Sequence, residues 1–187
     1  MWRVLLSIIL SAGMAVAQSD EPEVAPEWVP EVEAEYEPPM TYERLGRIVF
    51  ALDPEAVPQG AGFQLVVDDV PVLIITDPNA DRMRALVPIR SAQDLSNADL
   101  MRMMQANFDS ALDARYAVAN GTLWATFIHP LSPLKKNQLI SGLAQTVNVA
   151  KTYGSLYSGG ALQFGGGDSN NLQRQLIDEL LKKGEEI

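Results

Sequence analysis

The chain has no cysteine and a single histidine, His129. The first absence excludes disulfides, thiolate catalysis, Cys-ligated zinc and acylation at a cysteine. The second excludes a His-rich metal site. Bases are few: 14 Lys and Arg stand against 24 Asp and Glu, a formal net charge of −10. Such a chain repels a phosphate backbone, so nucleic acid is not an expected partner. There is no G-x-S-x-G or other nucleophile motif and no internal repeat. Long apolar runs are confined to the start of the chain, residues 4–16. That is short of the roughly 20 residues a bilayer-spanning helix requires.

What is present divides into zones. "MWRVLLSIILSAGMAVAQSDE" has a basic Arg3, an apolar stretch and a small-x-small triplet, Ala15-Val16-Ala17. This is the pattern of a signal peptide over residues 1–17, with Gln18 as the new N-terminus. The expectation is an exported protein, periplasmic or secreted, with no stable membrane insertion after cleavage. Residues 18–39, "QSDEPEVAPEWVPEVEAEYEPP", hold eight acids, five prolines and no base. Like charges repel and proline removes backbone donors, so this segment cannot fold alone. It reads as a solvated arm. Trp28 and Tyr36 would be the apolar anchors if it docks.

From residue 40 the pattern is that of a folded domain, and 47% hydrophobic residues suffice for a core. "TYERLGRIVFAL" predicts a helix capped by Thr41 and ended by Pro54 and Pro58. "AGFQLVVDDVPVLIITD" predicts two strands about an Asp68-Asp69 turn, with Pro71 at a strand start or edge. "DRMRALVPI" predicts a third, with Arg82 and Arg84 on one side and Met83, Ala85 and Val87 on the other. Ser96 with Asp99 predicts a capping box opening a helix whose stripe is Leu100, Met103, Met104 and Phe108. "ARYAVANGTLWATFI" predicts a hairpin on a type I′ turn at Asn120-Gly121.

"SPLKKNQLISGLAQTVNVAKTYG" predicts a further helix, capped by Ser132 with Pro133 in its first position. Leu139, Leu143, Val147 and Ala150 make its face, and Gly154 stops it. Residues 155–169 form a Gly/Ser-rich linker. Residues 170–187 form an amphipathic helix, with Leu172, Leu176, Ile177, Leu180 and Leu181 on one side. Asp168 and Ser169 are its caps. The expected class is α+β: an antiparallel sheet of about five strands with helices packed on it, in the order α-β-β-β-α-β-β-α, plus the C-terminal helix.

Each candidate for chemistry has a plainer reading. His129 precedes Pro130 at a strand end with no nucleophile motif to serve, so it reads as structural. Asp68, Asp69, Asp77 and Asp81 could supply oxygens to calcium, but their spacing is not that of an EF-hand, and Asp favours turns. "GGGDS" lacks the lysine of a phosphate loop. No catalytic residue, metal or cofactor is expected. Two groups remain for binding. Met101, Met103 and Met104 are core filling or an adaptable groove. Arg82 and Arg84, with Arg90 and Arg102, are a polar sheet face, a partner for the chain's own acidic arm, or a site for an acidic partner.

The order of elements, "QANFDSALDARYAVANGTLWATFIHPLSPL" and "VDDVPVLIITD" resemble the type III secretion chaperone-like superfamily, in its YbjN branch, over residues 41–154. The resemblance implies a non-enzymatic α+β module, often homodimeric, that holds an extended polypeptide. The chain departs from it in the export signal, the acidic arm and the terminal helix. The expected function is therefore an exported polypeptide-binding, chaperone-like module. The alternative is an adaptor tethered through its arm or terminal helix, and a small-ligand binder or hydrolase stands behind both.

Overall fold

Thr41 opens the first helix, α1 (Tyr42–Leu52), by accepting the Arg44 N–H on its hydroxyl at 3.2 Å. The computed structural model describes residues 37–109, 112–154 and 170–184. Leu45, Ile48, Val49 and Leu52 are the buried stripe of α1. Asp53 closes it, and its carboxylate accepts the Val66 N–H at 2.8 Å, fastening the helix end to the sheet.

The strands are β1 (Val57–Gln59), β2 (Gly62–Val67), β3 (Val70–Asp77), β4 (Arg82–Ser91), β5 (Arg115–Ala119) and β6 (Thr122–Pro130). They form one sheet in the order β1-β2-β3-β4-β6-β5, every neighbouring pair antiparallel. The expected five strands are present. β1 is an addition, a three-residue edge strand built around Pro58 with all its residues exposed. Both predicted tight turns are seen: Asp68 and Asp69 at φ 49° and 62°, and Asn120 and Gly121 at 50° and 72°. At the β3–β4 turn the Asp77 carboxylate accepts the N–H groups of Asn79 and Ala80.

β6 inserts between β4 and β5, so those two run parallel and α2 (Asn97–Asp109) is their crossover. Its capping box is reciprocal: the Asp99 N–H donates to Ser96 Oγ, and the Ser96 N–H to Asp99 Oδ2. The Ser96 hydroxyl and N–H hold the Asp99 carboxyl below its usual range.

α3 (Lys136–Lys151) starts later than predicted. Ser132 is not its cap. Its N–H and hydroxyl both go to the Asp81 carboxylate, at 2.6 and 2.9 Å, and residues 131–135 make a turn instead. The first helical N–H, that of Lys136, is taken by the Glu37 carboxylate at 2.9 Å.

α3 has no polar side. From Leu139 to Val149 only Ser141 is not buried, because the sheet lies beneath the helix and α4 (Asn170–Gly184) above it. Leu176 and Leu180 of α4 belong to the core, with Ile177 and Leu181 partly buried against it. Leu172, Asp168, Ser169 and the linker lie outside the described side chains or residues, as do residues 1–36. No described helix is long and apolar enough to cross a membrane.

Candidate functional site

Alternation along the strands creates two unlike faces. Phe63, Leu65, Val67, Val72, Ile74, Met83, Ala85, Val87, Leu123, Ala125 and Phe127 point to the helices and are buried. The other face receives no described helix. Cross-strand register arranges it in rows: Ile75–Arg84–Ile128, then Leu73–Leu86–Thr126–Arg115, then Pro88–Trp124–Ala117. Ile75 and Ile128 are 42% and 54% exposed, and Val66 is exposed as well. A sheet face open to water is normally polar, so β-branched apolar side chains there stand out as a contact surface.

Arg82 and Arg84 are on this face, as the alternation predicts, since Met83 between them is fully buried. Arg82 donates to the Asp81 carbonyl at 2.9 Å. Among the described residues Arg84 pairs with no carboxylate. Arg115 donates to the Leu112 and Ala114 carbonyls, which holds its guanidinium at the strand end. Acids are nearly absent from the strands: Asp77 alone stands against Arg82, Arg84, Arg90 and Arg115. In a chain with 24 acids this is a marked local inversion of charge.

The methionines part company. Met103 is 3% exposed and lies in the core with Ala106, so its side chain is not offered to a partner. Met101, 70% exposed, and Met104 face solvent with Leu100 and Phe108. The predicted stripe is therefore split: Met103 packs inward with Ala106, while Leu100, Met104 and Phe108 point outward. α2 is fixed by Asn107, whose amide accepts the Tyr116 N–H at 2.7 Å and donates to the Tyr116 carbonyl at 3.2 Å. That side chain pairs with edge strand β5 as another strand would.

His129 is half-buried and lines an open cleft of about 480 Å³ with Asp113, Arg115, Asn137, Gln138 and Ser141. Its Nδ1 lies 2.7 Å from the Pro130 carbonyl, an acceptor only, so Nδ1 carries a proton. The ring stacks on Phe127 with centroids 5.9 Å apart. The Asp113 carboxylate engages the Gln145 amide at 3.4 Å, and Ser141 Oγ accepts from the same amide at 3.0 Å. Gln145 in turn accepts the Asp113 and Ala114 N–H groups. The hydroxyl and the carboxylate thus serve a loop anchor rather than the imidazole. Among the described residues no three His, Asp or Glu gather as metal ligands.

Fold and face together define an α+β scaffold with helices on one side of its sheet and an apolar, arginine-bearing face on the other. No family model matches the chain, and no curated protein matches it.

Proposed function

We propose that this chain is a non-enzymatic polypeptide-binding module, working outside the cytoplasm once residues 1–17 are removed, and that the uncovered sheet face is its binding surface. One observation carries the reading: the face is apolar at Val66, Ile75 and Ile128 although no described helix covers it. Each is about half exposed, so leaving it in water forgoes about 1 kcal/mol, half the value of burying such a side chain completely. A partner that covers them recovers part of this on binding. The face is also rigid, because a packed core backs it, so little ordering entropy opposes association. His129 is compatible with the non-enzymatic reading: its Nδ1 is held by the Pro130 carbonyl, and among the described residues no carboxylate bonds the ring.

The test is photo-crosslinking of the full chain in the cells that make it, from benzoylphenylalanine at position 75 or 128 and, as control, at exposed position 47 on α1. Defined polypeptide adducts should form from 75 and 128 but not from 47. Ile128→Asp should abolish the adduct from 75. Absence of adducts from the face, or equal adducts from the control, overturns the reading.

A further inference from the structure

The charge inversion of the strands narrows what the face can hold. Arg84 stands between Ile75 and Ile128 in the cross-strand register, about 4.8 Å from each neighbouring strand. A partner that seats an apolar side chain on either isoleucine brings its adjoining groups to that guanidinium. A guanidinium forks a carboxylate bidentately. Arg82 and Arg115 flank the same surface, and the only strand acid is Asp77 at the end of β3. We propose that the face selects an acidic polypeptide segment bearing aliphatic or aromatic side chains, presented by a second protein, with Arg84 as the specificity-determining residue. This rests on the polypeptide-binding reading above.

Other occupants fit less well. A second copy docking face to face would set arginines against arginines with only Asp77, already opposite Arg82 in its own sheet, to answer them. An anionic bilayer is usually gripped by clusters of four to eight cations. Here the face offers three, Arg82, Arg84 and Arg115, which suits one carboxylate-bearing segment better than a charged sheet of headgroups.

Fluorescence anisotropy of the full chain with synthetic peptides tests this. One probe has the sequence of residues 21–37, EPEVAPEWVPEVEAEYE, and a second replaces every Glu with Gln. Vesicles of phosphatidylserine and phosphatidylcholine are the third probe. The acidic peptide should bind, weaken with salt, and exceed the Gln peptide by about tenfold or more, the scale of one charge-assisted pair. Arg84→Glu should remove that preference and Arg84→Lys should keep part of it, with Arg84→Gln as a neutral variant that also removes it and circular dichroism reporting the fold. Ile128→Asp should weaken both peptides.

Equal binding of the two peptides overturns acid selection and leaves the polypeptide reading standing. Binding of neither peptide, together with no crosslinks from positions 75 and 128, removes both. Vesicle binding in place of peptide binding makes the occupant a lipid surface and overturns the proposal. Peptide binding only to a full chain in which the acids of residues 20–35 are Gln identifies this chain's own segment as the occupant, and overturns a second protein as its source.

Discussion

Thr126 lies in the middle of the uncovered face yet is itself buried, and its hydroxyl has no hydrogen-bond partner. A buried, unpartnered polar atom costs about 1–3 kcal/mol, so its removal without change of shape is favourable. Thr126→Val should raise stability by about 1 kcal/mol in urea unfolding, against the usual direction for a buried substitution. Glu37 works in the opposite sense. Burial would raise its carboxyl, but the Lys136 N–H and the Arg44 guanidinium, 2.6 Å away, outweigh that and hold it below the ordinary 4.5. A depressed carboxyl stabilises the fold fully above its unfolded value, and the effect is lost as pH falls through the folded value. Glu37→Gln should therefore destabilise the chain most above pH 4.5. The gap from the parent should close in more acidic solution, as measured by unfolding midpoints across that range. Asp81 is held low in the same way by the Ser132 N–H and hydroxyl, so its tie to the turn before α3 should loosen as pH falls below the ordinary 3.8, a more acidic window than that of Glu37.

Among the elements, α3 depends on a glycine where helix propensity would prefer alanine. A Cβ at Gly142 would stand 2.6–2.8 Å from three atoms of the Phe127 ring, closer than carbon atoms tolerate. Alanine gains about 1 kcal/mol of propensity, but driving helix from sheet disturbs a whole buried layer. Overpacking of that kind costs about 1–3 kcal/mol. Gly142→Ala should be destabilising, and Phe127→Leu in the same chain should relieve the clash, a coupling that a double-mutant cycle measures. That dependence was not legible in the sequence, because residues 127 and 142 meet only when α3 folds back over β6. The hairpins and the α2 cap were legible because their signals are local: two residues with positive φ, or a hydroxyl and a carboxylate three positions apart. β1 was not, since three exposed residues around a proline carry no alternation. The helix start at Lys136 was missed because Ser132 serves Asp81, 51 positions earlier. Half of the candidate site was legible, Arg82 and Arg84 by alternation with Met83. Ile128 was not, because the β4–β6 pairing that aligns it with Arg84 spans α2 and β5, and Ile75 was not, because its strand is apolar nearly throughout and no alternation marks the open face. One signal could have drawn attention to them: apart from Asp77, the strand segments hold no acid at all.

At the scale of the whole molecule, acids occupy the segment before residue 40, the turns and the helices, while the strands are basic and apolar. This distribution suits a scaffold that shows one face to partners and solvates the rest. It also bears on the adaptor alternative, in which the terminal helix is a separable tether and its removal leaves the domain intact. α4 does not behave as an appendage. Leu176 and Leu180 complete the core over α3, Gly184 sits against Ile140, and the Lys136 ammonium donates to the Gly184 carbonyl at 3.0 Å. Two buried leucines alone are worth about 3–6 kcal/mol, comparable with the whole stability of an ordinary domain, about 5–15 kcal/mol. A chain ending at residue 169 should therefore lose cooperative urea unfolding and near-ultraviolet circular dichroism. Leu180→Asp in the full chain should reproduce most of that loss without shortening anything. A truncated chain that unfolded with the parent's midpoint and slope would return α4 to the role of tether. Failure to fold would make α4 the lid of the core, leaving the uncovered sheet face, backed by that core, as the surface on which a partner is sought.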